Sequence, residues 1–356
     1  MRPPAAYRAV IVALLGITLG CGDPSQSNWE EHVGATVAGV VGGWAATDAQ
    51  IFATVEVRRT GARSGFCSGT LISPLLIVTA AHCAVIEPEP GVVHAAKPGS
   101  LQVAAGHLSS RTADPSMIRT VSEVRVHEEY DHEFIMGRSR SGAGQGGIGS
   151  PNDIALLFIT TPFDGAAVAP LLTPSRQDQL VAHGDVGFVA GYGVYDLEDG
   201  RNGELYISDA IIDIIGTREL LTRRTDPLGD SCFGDSGGPL YVPTEQGDFL
   251  LGLVSRGRSD VERDCGDGGV YTLLSAHLPW IARAAGHRFQ PRAEPGAHEV
   301  SFLADGADPI RTPKGGALHR AGACAASHPG PGGGSSASLF GWLLGALFLS
   351  RRLSRR

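Results

Sequence analysis

Charge is scarce in this sequence. Asp, Glu, Lys and Arg make up 19% of its 356 residues, against about a quarter in an average soluble protein. No long basic block runs through the body of the chain, and the net charge is −8. Nucleic acid is therefore not an expected partner. The six cysteines, Cys21, Cys67, Cys83, Cys232, Cys265 and Cys324, include no Cys-x-x-Cys pair. A zinc ribbon and a thioredoxin-like redox motif are thereby not indicated, and no metal or cofactor is expected. Helical periodicity is scarce as well. One segment carries it, Ser275 to Ala285, with Leu278, Ile281 and Ala285 at helical spacing.

Glycine and apolar residues are plentiful. The 49 glycines point to many turns, and 42% hydrophobic residues suffice for a real core. The length suits one large or two modest domains. From Val40 to about His287, short β-branched runs such as Leu76-Ile77-Val78-Thr79 and Ile154-Ala155-Leu156-Leu157-Phe158-Ile159 alternate with turn residues. That texture predicts an all-β sandwich or barrel. Arg138 to Ser150 is rich in Gly and Ser and reads as a mobile surface loop. No internal repeat is visible.

The ends read as export signals. Arg2 and Arg8 precede the apolar run Ala9 to Leu19, a charged n-region and an h-region too short for a comfortable span. The run ends Ile17-Thr18-Leu19-Gly20-Cys21. It resembles a bacterial lipoprotein signal, in which Cys21 becomes the acylated N-terminus. Thr18 departs from that pattern, and an ordinary cleaved signal peptide is the alternative. The tail has Cys324, a Gly/Ser stretch, the apolar run Leu339 to Leu349, then Arg351, Arg352, Arg355 and Arg356. It resembles the myxosortase-type (MYXO-CTERM) sorting signal; a plain C-terminal membrane anchor is the alternative. Membrane attachment through the termini, at the cell surface or outer membrane, or secretion, follows. The expected organisation is a signal peptide over 1–20, a pro-segment or tether over 21–39, a catalytic domain over 40–289, a linker over 290–336 and the tail over 337–356.

Three segments carry chemistry. They are Thr79-Ala80-Ala81-His82-Cys83, Asn152-Asp153-Ile154-Ala155-Leu156-Leu157 and Gly234-Asp235-Ser236-Gly237-Gly238-Pro239. A serine hydroxyl is a poor nucleophile at neutral pH. It needs a base, and the base needs a group that holds its tautomer. The glycines around Ser236 let backbone N–H groups converge on one point. An esterase elbow of the form Gly-x-Ser-x-Gly is also matched, but esterases order their triad Ser…Asp…His.

In the order His…Asp…Ser, these segments closely resemble the trypsin/chymotrypsin family of serine peptidases, over about residues 40–287. The resemblance implies two antiparallel Greek-key barrels with a C-terminal helix. It implies Ser236 as nucleophile, His82 as base, Asp153 as its support, and the N–H groups of Gly234 and Ser236 as oxyanion hole. It pairs Cys67 with Cys83 and Cys232 with Cys265, each bridge contributing about 3 kcal/mol; free buried cysteines are the alternative. Asp230, six residues before Ser236, stands where the trypsin-like branch selects Arg or Lys before the cleaved bond. Gly257 and Gly269 match the small residues of the pocket walls, and Ser255 a residue supporting substrate backbone and Asp153. Arg256 replaces the family's usual Trp, either favouring acidic or polar substrate residues or folding away. Calcium-binding members have Glu where this chain has His107, so no metal is implied.

Val40-Val41-Gly42-Gly43 resembles the family's mature N-terminus. Cleavage after Gly39 would free the Val40 amine to pair with Asp235. Because Gly39 is neither Arg nor Lys, a separate activating protease is expected. Partners are then that protease and protein or peptide substrates, with a monomeric catalytic domain. The competing reading is a catalytically silent binding protein on the same fold.

Overall fold

Strands form where β-branched and apolar residues cluster between turns. The computed structural model describes residues 40–304 apart from 41, 51–52, 139–147, 164–165, 224–228, 246, 264, 287–288 and 293–298. Cys21, Cys324 and the middle of the Arg138–Ser150 loop lie outside the described residues.

The first barrel comprises Thr54–Arg59 (β1), Cys67–Ser73 (β2), Leu76–Thr79 (β3), Leu101–Ala105 (β4), Ile118–Val126 (β5) and Ala155–Ile159 (β6). They close in the order β1-β2-β3-β6-β5-β4, all neighbours antiparallel. The second comprises Val186–Gly191 (β7), Tyr206–Ile215 (β8), Glu219–Arg223 (β9), Pro239–Thr244 (β10), Gly247–Gly257 (β11) and Gly269–Leu273 (β12). Its order is β7-β8-β9-β12-β11-β10, with β10 pairing back to β7. The two barrels therefore share one winding, although their sequences show no repeat. Closure leaves neither barrel with an unpaired edge.

Continuous apolar runs become strands covered on both faces. Every residue of β3 and β6 is buried. Leu76, Ile77, Leu156 and Leu157 have no exposed surface, and each such side chain contributes about 1.5–3 kcal/mol. These two strands lead into His82 and out of Asp153, so the core of the first barrel fixes two of the residues expected at the site.

Among the described residues, three α-helices accompany the barrels: His132–Ile135 (α1), Pro174–Leu180 (α2) and Leu274–Ala285 (α3). The first two are too short to show a period. Their starts are marked by caps: Asp131 Oδ1 accepts the Phe134 N–H at 2.9 Å, and Thr173 precedes Pro174 at the first helical position. In α3, Trp280 donates its indole N–H to Glu128 Oε2 at 2.8 Å, tying the helix to the loop after β5.

The segment read as a linker from residue 290 begins as strand. Phe289–Arg292 pairs with Glu299–Ala304, which pairs in turn with Leu171–Leu172 beside β11. The short Val300/Phe302 alternation is masked in sequence by the Pro- and Gly-rich residues around it.

Candidate active site

Beyond β3 the chain turns through Ala81–Cys83, with Cys83 bonded to Cys67 on β2. This anchors His82, whose side chain is 19% exposed. Ahead of β6, Asn152 adopts the left-handed backbone (φ 50°). Its amide donates to the Glu129 and Ser150 carbonyls at 3.1 and 3.2 Å, and its Oδ1 accepts from Arg218 at 2.7 Å. Such a conformation is costly for a non-glycine residue and persists when its surroundings fix it. It aims Asp153 at His82.

Asp153 is fully buried. Its Oδ1 accepts the His82 backbone N–H at 3.0 Å. Its Oδ2 faces His82 Nδ1 at 2.8 Å and accepts the Ser255 hydroxyl at 2.6 Å. Its carbonyl accepts the Thr272 hydroxyl at 3.0 Å. Burial pushes the Asp153 carboxyl up, but His82 and the hydroxyl and backbone donors outweigh it and hold it below its ordinary value. For His82, burial pushes down, Asp153 pulls up more strongly and Arg256 pushes down; the net direction is up. With Nδ1–H on the carboxylate, Nε2 is left as the acceptor.

Ser236 sits half-buried in a tight turn. Its carbonyl accepts the Ser68 N–H at 2.8 Å, and the Ser68 hydroxyl donates to the Gly234 carbonyl at 3.1 Å. Cys83 Sγ lies 3.5 Å from the Ser236 carbonyl oxygen, so the His82 and Ser236 turns touch. Gly237 has φ 77°, and a Cβ there would stand 2.1 Å from Thr79 Oγ1. Gly234 has φ 96°, and a Cβ there would stand 2.8 Å from Gly193 Cα. Only glycine fits either position. His82 and Asp153 are thus in direct contact, and the Ser236 turn adjoins the turn that carries His82.

Asp230 is fully buried below this turn. Its carboxylate accepts the Thr222 and Tyr271 hydroxyls and the Ser231 N–H. Burial nevertheless pushes its carboxyl up. Gly257 and Gly269 pair in the adjoining ladder, and Cys232 is bonded to Cys265. Both disulfides implied by the resemblance are formed. Asp235 is buried too, with its two oxygens accepting the Gly193 and Cys232 N–H groups, each at 2.9 Å. Burial, aided by Asp230, pushes its carboxyl up to about 7. Val40 is buried in the core of the second barrel.

Arg256 folds away. Its Nη1 and Nη2 meet Glu219 Oε1 and Oε2 at 2.6 and 2.9 Å, and its guanidinium lies 5.0 Å above the Phe134 ring. Glu219 was not legible as a site residue, since it stands 37 positions from its partner. The metal-ligand types that cluster among the described residues are Cys67, His82 and Cys83. Both sulfurs there are held in the disulfide. Near His107, Nε2 lies 3.1 Å from Glu56 Oε2, which Arg58 Nε also meets at 2.8 Å.

The family model described as Trypsin matches residues 40–281. Over 240 residues the chain is 27% identical to coagulation factor IX of Cavia porcellus, covering 63% of this chain and 75% of that protein. Over 245 residues it is 29% identical to vitamin K-dependent protein C of Rattus norvegicus, covering 62% of this chain and 46% of that protein. With that match across most of its length and two closed six-stranded barrels beneath it, the chain belongs to the trypsin family of serine proteases.

Proposed function

We propose that the chain is a serine endopeptidase that cleaves peptide bonds after Arg or Lys. The observation that carries this reading is the sequence of contacts from His82 Nδ1 to Asp153 Oδ2 to Ser255 Oγ, 2.8 and 2.6 Å, beside the Ser236 turn. Ser236 Oγ attacks the scissile carbonyl carbon while His82 Nε2 takes its proton. The carbonyl oxygen, now negative, accepts the Gly234 and Ser236 N–H groups, each such donor lowering the barrier by about 3–4 kcal/mol. The C–N bond breaks as His82 gives its proton to the leaving amine. Water then attacks the acyl group, His82 takes the water's proton, and that proton returns to Ser236.

Specificity follows from Asp230. A buried carboxylate is destabilised by lost hydration, and a substrate cation restores its balance. Gly257 and Gly269 leave room for a long side chain to reach it.

Activation follows from Val40 and Asp235. A carboxyl pushed up to about 7 by burial favours an incoming cation. Cleavage after Gly39 by another protease supplies one, the Val40 amine. The chain is read as exported, held by its termini or released; its two disulfides accord with an oxidising compartment.

The test uses chain beginning at Val40. A fluorophosphonate is expected to label Ser236, and an Arg peptide to be cleaved faster than Phe or Ala peptides. Absence of labelling sinks the enzyme reading, and equal rates on the three peptides sink the specificity.

A further inference from the structure

Neighbouring residues of a regular strand face opposite sides. In β11 the register against β12 shifts between Val254 and Arg256. Such a bulge re-aims side chains, and here Arg256 Nη1 lies 3.3 Å from Ser255 Oγ. That hydroxyl is the one 2.6 Å from Asp153 Oδ2. Glu219, the partner of Arg256, opens β9 opposite Thr272, whose hydroxyl holds the Asp153 carbonyl. The side chains of Arg256 and Glu219 are only 8% and 2% exposed. A buried cation therefore stands one hydroxyl away from Asp153, with a buried carboxylate paired to it. Solvent and salt screen charges so placed weakly.

We propose that Arg256 and Glu219 are positioning residues that jointly set the charge state of His82. Arg256 holds the imidazole toward the neutral base that attack requires, and Glu219 limits that push. The inference rests on the peptidase reading above.

The sign agrees with the field at His82, where Asp153 acts upward and Arg256 downward. Further titratable and charged groups near the network are found among the described residues. Tyr130, beside Asp153, is pushed far above its ordinary range by burial and stays neutral. His277, which reaches Asn152 Oδ1 at 3.3 Å, is lowered to about 4 by burial. Arg218 donates to that same oxygen. On α1, which packs on the guanidinium through Phe134, His132 turns to Glu87 and Glu133 to Arg138.

The experiment follows kcat/KM against pH for an Arg peptide, using chain beginning at Val40. The acid limb reports the base of the free enzyme. Arg256→Gln removes the cation and leaves a buried carboxylate, so the limb is expected to rise by about one pH unit. Glu219→Gln leaves the cation uncompensated, so the limb is expected to fall. The double variant is expected near the parent midpoint, and so is Arg256→Lys. A purely structural role predicts no such opposition of sign. Should Arg256→Gln fail to fold, Glu219→Gln against the double variant reads the same sign. Limbs that move together, or not at all, overturn the proposal. His82 proton resonances in a Ser236→Ala background report the same midpoints without activity. Failure of the peptidase reading is thereby kept distinct from failure of this one.

Discussion

One oxygen of Asp153 serves two partners: Oδ2 faces His82 Nδ1 at 2.8 Å and accepts the Ser255 hydroxyl at 2.6 Å. His82 and Asp153 come from the first barrel and Ser255 from the second. A carboxylate with no exposed surface remains charged only through its donors. The second barrel thus stabilises the charge on which the first barrel's imidazole depends.

Ser255→Ala removes that donor. A hydrogen bond to a charged group contributes about 1.5–3 kcal/mol. The expected result is a fall of about ten- to a hundredfold in kcat for an Arg peptide. KM should change less, because Ser255 acts through Asp153. Steady-state kinetics on chain beginning at Val40 decide it; an unchanged kcat would remove Ser255 from the network.

The Cys232–Cys265 bridge spans 33 residues and Cys67–Cys83 spans 16. Loop-closure entropy assigns them about 4 and about 3 kcal/mol. Replacing Cys232 and Cys265 together by Ser is therefore expected to lower the denaturant midpoint more than replacing Cys67 and Cys83. The reverse order would mean that native packing around His82, rather than chain entropy, dominates.

The residues that could be read from sequence are those whose chemistry is local. The Gly234–Pro239 turn needs glycine at fixed offsets, because Gly237 meets Thr79 and Gly234 meets Gly193 with no room for a Cβ. Its signature is therefore written in consecutive positions. The Glu219–Arg256 pair has no such signature. It depends on the register of β9, β12 and β11 and on one bulge, none of which adjacent residues encode. Asn152 is similar: its left-handed backbone is fixed by Glu129, Ser150 and Arg218, two of them remote in sequence. The matching windings of the two barrels are invisible for the same reason, since a barrel needs alternation and turns rather than particular residues.

Asp230 offers a test of specificity. Removing one member of a buried charge pair costs about 2–5 kcal/mol. Asp230→Ser is therefore expected to lower kcat/KM for an Arg peptide by about a hundred- to a thousandfold, and for a Phe peptide far less. The ratio of the two rates is the measurement. Persistence of the Arg preference would assign selection to another group.

Under the proposed activation, Asp235 would make the cleavage before Val40 sensitive to pH. Its carboxyl is raised from the ordinary 3.8 to about 7 by burial. A group raised in the folded state stabilises the fold fully below its unfolded value, and that contribution disappears as pH rises through the folded value. The difference amounts to about 4 kcal/mol. The precursor, carrying Ser236→Ala to prevent self-digestion, should therefore melt at progressively lower temperature between about pH 4 and pH 7. Asp235→Asn in that background should flatten this part of the curve. Cleavage at Val40 should also flatten it, because the amine then balances the charged carboxylate. Parallel curves for the precursor and Asp235→Asn would remove Asp235 as the source. A cleaved form as pH-sensitive as the precursor would remove the Val40 amine as its partner.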